Sequence, residues 1–171
     1  MYKSDPNLVV NKIIIPERLD LSKGKVDATD PCYERGTWCA AFGLDVVPGK
    51  YRCGYEASDD DRIVTNFIIH EDYSTDFYNL HFEPAYEIGV DAGLFGYFPN
   101  KHDFSQEEWE ELCQWMWNKD HEAKGIASHY FRDDVGFWTS SGYGDGGYPV
   151  YAAKTSDGKI IGLLTEFITS E

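Results

Sequence analysis

Short alternating or β-branched runs, each closed by turn formers, make up most of the hydrophobic pattern of this chain. One segment alone repeats with helical spacing. Leu8 to Ile15 is rich in β-branched residues and stops at Pro16, which predicts a first strand, and residues 17–36 read as turns with two short extended pieces. Trp38 to Val47 predicts a strand closed by Pro48-Gly49. Lys50 to Ala57 and Arg62 to His70 flank Ser58-Asp59-Asp60-Asp61, a hairpin signature with Tyr51, Cys53 and Tyr55 on one face. Residues 71–82 read as a long loop, and Tyr86–Asp91 and Leu94–Phe98 as strands interrupted at Ala92-Gly93. Ile126–Phe131 and Gly136–Ser140 read as extended, and Tyr148–Lys154 with Lys159–Ile168 as a closing hairpin about Ser156-Asp157-Gly158.

The helical segment follows Ser105. Ser105 and Glu108 have capping-box spacing, and Phe104 with Trp109 has the spacing of a hydrophobic staple. Trp109, Leu112, Cys113, Met116 and Trp117 then form a stripe predicted to face the core. Many strands, one helix and no βαβ alternation predict a mainly β (α+β) fold: an antiparallel β-sandwich or barrel with one packed amphipathic helix, in a single domain over residues 1–171.

Composition changes this picture in two ways. A net charge of −15 disfavours nucleic acid and anionic membrane, because phosphate binding requires Lys and Arg to release counterions. Aromatics make up 16% of the chain, and Tyr and Trp suit recognition surfaces, where they bury large area with few rotors. The four cysteines form no C-x-x-C pair, and no apolar run is long enough to span a bilayer. A cytoplasmic protein with reduced thiols is therefore expected, with pairing among Cys32, Cys39 and Cys53 the secondary reading.

Three stretches carry candidate chemistry. In Asp30-Pro31-Cys32-Tyr33, Asp30 suits a turn that accepts backbone hydrogen bonds, while Cys32 would need a nearby base or cation to act as a nucleophile. Asp91 lies among apolar residues in Gly89-Val90-Asp91-Ala92-Gly93, so it is exposed at a strand end or buried with partners. Ser140-Ser141-Gly142-Tyr143-Gly144-Asp145-Gly146-Gly147-Tyr148 surrounds one carboxylate with four glycines. That last loop lacks the lysine and helix of a phosphate loop, the Gly-x-Ser-x-Gly of a nucleophile elbow and the alternating carboxylates of a calcium loop. It is expected to bridge two antiparallel strands, Gly136–Ser140 and Tyr148–Lys154. No metal and no cofactor are expected.

Taken together, the Asp-Pro-Cys-Tyr, Val-Asp-Ala-Gly and Ser-Ser-Gly-x-Gly-Asp-Gly boxes resemble a family of bacterial and phage proteins without assigned function, from about Thr29 to Phe167. The resemblance implies that Asp30, Cys32, Asp91, Ser140, Ser141, Gly144, Asp145 and Gly146 belong to one pattern, and it brings no activity with it. The first expectation is a non-catalytic binding protein of inhibitor, immunity or phage counter-defence type, taking a basic protein partner or a small ligand. Its ligand-binding residues would be Asp30, Tyr33, Asp91, Ser140, Ser141, Tyr143, Asp145 and Tyr148. The alternative is a small hydrolase-type enzyme using Cys32, Ser140 or Ser141 with Asp30, Asp91 or Asp145. It ranks second because no nucleophile–base–orienter set can be read from the spacing.

Overall fold

A computed structural model describes residues 1–32, 40–74, 79–99, 104–123 and 127–169. Among them, eleven strands form two antiparallel sheets, and one helix packs outside. The first sheet combines β1 (Asn11–Asp20), β4 (Lys50–Ala57), β5 (Ile63–His70), β11 (Ile160–Glu166), β10 (Gly146–Lys154) and β6 (Glu83–Val90), in the order β1-β4-β5-β11-β10-β6. The second contains β2 (Lys25–Thr29), β3 (Ala40–Asp45), β7 (Leu94–Phe98), β8 (His129–Arg132) and β9 (Gly136–Ser140), in the order β3-β2-β7-β9-β8. The helix α1 spans Gln106–Glu122.

The period-two pattern places side chains in layers. On β7, Phe95 and Tyr97 enter the core between the sheets, whereas Leu94 and Phe98 face outward beneath α1. On β9, Phe137 faces in and Trp138 faces the helix, which contributes Trp109 and Met116. On β5, Ile68 faces in, while Phe67 and Ile69 join a second apolar layer with Phe82, Ile161 and Leu164, against which Tyr2 of the N-terminal arm packs. Every residue of β5 is buried, since it is an interior strand covered on both faces.

A polar network runs through the inter-sheet core. Asn66 on β5 donates to the Phe95 carbonyl (3.1 Å) and to the Thr139 hydroxyl (3.0 Å) of the opposite sheet. The Tyr97 hydroxyl donates to Asn66 Oδ1 (2.9 Å) and lies 2.8 Å from Thr165 Oγ1. Burial without partners would be costly, so these bonds fix how the sheets face one another.

Four expectations change. The first strand continues through Pro16 to Asp20. Because β1 is an edge strand and its register with β4 shifts between Ile14 and Arg18, the missing N–H interrupts no regular ladder. The glycine box does not close a hairpin: β9 and β10 lie in different sheets, and Ala92-Gly93 likewise carries the chain from one sheet to the other. Gly146 and Gly147 already belong to β10, opposite Val90 and Gly89. Pro149 is accommodated because β11 pairs with β10 only from Val150 onward. On α1 the capping box is formed and Phe104 meets Trp109 at 5.4 Å, but Trp117 is 40% exposed and stacks on His121 instead of facing the core. Seven residues bring Met116 back under Trp109, and Trp117 falls beyond the edge of that stripe.

Removing the bridge between the sheets should be measurable. Asn66→Ala is expected to cost roughly 2–4 kcal/mol and Tyr97→Phe about 1–2 kcal/mol in urea unfolding, with the double variant losing less than the sum. Fully additive losses would show that the two side chains do not act as one network.

Candidate functional site

The turn after β2 is built around one carboxylate. Asp30 has 0% exposure, and its Oδ1 accepts the Cys32 amide at 2.9 Å, forming the turn that Asp before Pro suggests. Its Oδ2 accepts the amides of Asp91 and Ala92, both at 2.8 Å. The first box thus clasps the second across sixty residues of sequence. Burial pushes the Asp30 carboxyl above its usual range, and the three amide donors oppose that rise.

The third box joins the same end. The Ser141 amide donates to the Gly93 carbonyl (3.1 Å), and Gly146 pairs with Val90. Gly142 adopts φ +64°, and a Cβ there would meet Phe167 Cβ at 3.1 Å and Ile63 O at 3.3 Å, so both conformation and space call for glycine. The loop's polar groups close on themselves. Ser141 Oγ and the Tyr148 hydroxyl donate to the Gly144 carbonyl (2.8 and 2.6 Å), and the Gly144 amide donates to the Ser141 carbonyl (3.0 Å). Ser140 Oγ accepts the Ser128 amide at 3.4 Å. The amides of Ser141 and Gly144 are thus both engaged within the protein.

What these loops present outward is acidic and aromatic. Tyr143 is 68% exposed, and Asp91 and Asp145 are exposed on the converging loops. The hairpin turn between β4 and β5 meets the same surface: Tyr143 donates to Asp60 (3.0 Å), and the Arg62 guanidinium lies over the Tyr143 ring at 5.1 Å. Hydrogen bonds from Ser58 and Tyr143 hold the Asp60 carboxyl below its usual range, and the bond to Asp60 raises the Tyr143 phenol.

The structure brings Asp30, Asp91, Ser140, Ser141, Tyr143, Asp145 and Tyr148 to one end, but it does not arrange them as a catalytic set. Asp30 is spent on backbone amides, and both serines on backbone groups. Cys32 lies against α1, its thiol 3.8 Å from the Cys113 carbonyl. Tyr33 falls outside the described residues, as do Arg35, Cys39 and His102. The other histidines have partners elsewhere: His70 at the Pro48 carbonyl, His81 with Glu83, His121 on Trp117 and His129 beside Tyr55. Among the described residues no cluster of three or more His, Cys, Asp or Glu could hold a metal ion, and no helix is long and apolar enough to cross a membrane.

A second site escaped the sequence reading. Between the N-terminal arm and the outer face of the six-stranded sheet lies a cavity of about 630 Å3, lined by Tyr2, Val9, Lys12, Glu56, Leu80 and Phe82 among others. Glu56, 1% exposed, accepts hydroxyls from Tyr2 (2.6 Å), Ser4 (2.6 Å) and Thr65 (2.8 Å). Burial brings the Lys12 ammonium down to about 8, against the opposing pull of Glu56. Burial also raises the Tyr2 phenol and the Glu166 carboxyl nearby. Neither Lys12 nor Glu56 stands in a recognisable motif; their only sequence signal is a charge within a strand.

No family model matches the chain, and neither does any curated protein or solved structure.

Two outcomes follow for these sites. Asp30→Ala should cost roughly 3–5 kcal/mol, since three amides lose an acceptor, whereas Asp145→Ala should stay within about 0.5 kcal/mol, both read by urea unfolding. For Lys12, burial disfavours the charged form, so the folded chain binds fewer protons than the unfolded chain between about pH 8 and the ordinary lysine value of 10.5. The stability of the wild type relative to Lys12→Met should therefore rise through that window, and a flat difference would contradict the burial of this amine.

Proposed function

We propose that this chain is a non-catalytic binding protein whose recognition surface is the end where the three boxes meet, and that its partner is a basic protein. One observation carries this reading: the boxes commit their buried groups to holding loops together and leave Tyr143, Asp91 and Asp145 exposed, with Tyr143 bonded to Asp60 in the exposed turn Asp59-Asp60-Asp61. A large amphipathic ring on a glycine-flanked loop, surrounded by carboxylates, suits a partner presenting Lys or Arg. The net charge of −15 would steer such a partner toward encounter and repel anionic ones. The family resemblance fits the same reading, since its boxes would preserve the loop framework. The hydrolase alternative loses support because Ser140 and Ser141 are engaged with backbone groups.

A small-ligand reading is favoured by a different observation, the cavity holding Glu56 and Lys12 under the N-terminal arm. Its volume falls within the range of small-molecule sites, and its walls combine apolar residues with a few polar groups.

Affinity capture from host extract with the wild type and with a Tyr143→Ser/Asp60→Asn variant tests the main reading. A basic protein retained by the wild type, released by moderate salt and lost from the folded variant is the expected result. Retention of the same protein by both forms would place the interface elsewhere. A small molecule retained by the wild type in native mass spectrometry, and lost on Glu56→Leu substitution, would favour the cavity instead.

A further inference from the structure

We propose that Cys32 and Cys113 form a covalent modification site, a thiol pair that a small disulfide converts into an intramolecular bond stapling α1 to the turn after β2. Two contacts run in opposite directions between these residues. The Cys113 thiol donates to the Pro31 carbonyl at 2.9 Å, the peptide unit that leads into Cys32, and the Cys32 thiol approaches the Cys113 carbonyl at 3.8 Å. Each sulfur therefore already touches the other residue's own stretch of backbone. A disulfide joins residues whose Cα atoms lie about 4.4–6.8 Å apart. The bond requires both thiols to turn from these carbonyls toward one another.

The backbone on both sides is held. Pro31 O also accepts the Trp109 indole N–H at 2.6 Å, one helical turn before Cys113 on the same face of α1. The Cys32 amide is fixed to Asp30 Oδ1. This rigidity keeps the thiols adjacent, which raises the effective concentration of one for the other. Both cysteines are partly exposed, so a small reagent can reach them. Cys53, by contrast, is buried between the sheets, and burial pushes its thiol far up, so it remains inert. Neither Cys32 nor Cys53 is in a disulfide, and Cys39, the third member of the secondary pairing considered from the sequence, lies outside the described residues.

With oxidised glutathione as oxidant the chemistry balances. The Cys32 thiolate attacks one sulfur, forming a Cys32–glutathione mixed disulfide and expelling one glutathione thiolate, which takes up the proton Cys32 lost. The Cys113 thiolate then attacks Cys32 Sγ, forming the protein disulfide and releasing the second glutathione. Two protein thiols are oxidised, and one glutathione disulfide is reduced to two thiols.

Incubation of the full chain carrying Cys39→Ser with oxidised glutathione, followed by intact-mass measurement and peptide mapping, tests this. The expected product has lost the mass of two hydrogens, retains no glutathione and yields a peptide crosslinked between Cys32 and Cys113. The added variant Cys113→Ser should instead trap one glutathione on Cys32. The oxidised form should melt roughly 5–15 °C above the reduced one, because the bond closes a long loop without distorting the fold. Glutathione retained on both cysteines, no reaction at either, or a melting temperature unchanged or lowered by the crosslink would each overturn the proposal.

Discussion

A carboxylate with no exposed surface must find donors or lose its charge, and Asp30 finds three backbone amides from two separate segments. Everything at the loop end depends on that arrangement. Asp30 shapes the turn that carries Pro31, and the Pro31 carbonyl then receives both the indole of Trp109 and the thiol of Cys113, which seats α1. The same carboxylate holds Asp91 and Ala92 where the chain crosses between sheets. The crossing at Gly93 in turn accepts Ser141 and positions the glycine box. One buried group thus links the helix, two sheet crossings and the loop that exposes Tyr143.

The rest of the sandwich supports this end without taking part in it. Asn66, Tyr97, Thr139 and Thr165 fix the mutual position of the sheets through hydrogen bonds in an otherwise apolar core. The outer faces are closed by α1 on one side and by the N-terminal arm, latched through Glu56, on the other. With the framework set by buried polar groups, the acidic and aromatic residues Asp91, Tyr143 and Asp145 lie exposed at the loop end. The proposed binding role asks for shape and charge at this end but for no aligned proton donor and acceptor.

Local signals were the legible part of the sequence. The capping box at Ser105 and Glu108, the turns at Ser58–Asp61 and Ser156–Gly158, and the short strand Leu94–Phe98 depend on neighbours a few residues away, and each appears where the pattern places it. Sheet membership was not legible, because two strands joined by a short glycine-rich link look alike whether they form a hairpin or cross between sheets. For the same reason Asp30, Asp91 and Asp145 stood out equally in sequence, although Asp30 is fully buried and the other two are exposed. The contacts of the Cys32 and Cys113 thiols between the turn and α1, and the meeting of Tyr2, Ser4 and Thr65 on Glu56, join residues far apart along the chain, and no spacing rule announces them.

The central claim, that the Asp30 carboxylate ties the loop end into the cooperative core, is tested most directly by hydrogen exchange at the amides of Asp91 and Ala92. These lie in a connection between sheets, where rapid exchange is the ordinary expectation. If Asp30 holds them as described, they should exchange as slowly as the amides of β5, only through global unfolding. Exchange at rates typical of an exposed loop, with β5 still protected, would contradict the account.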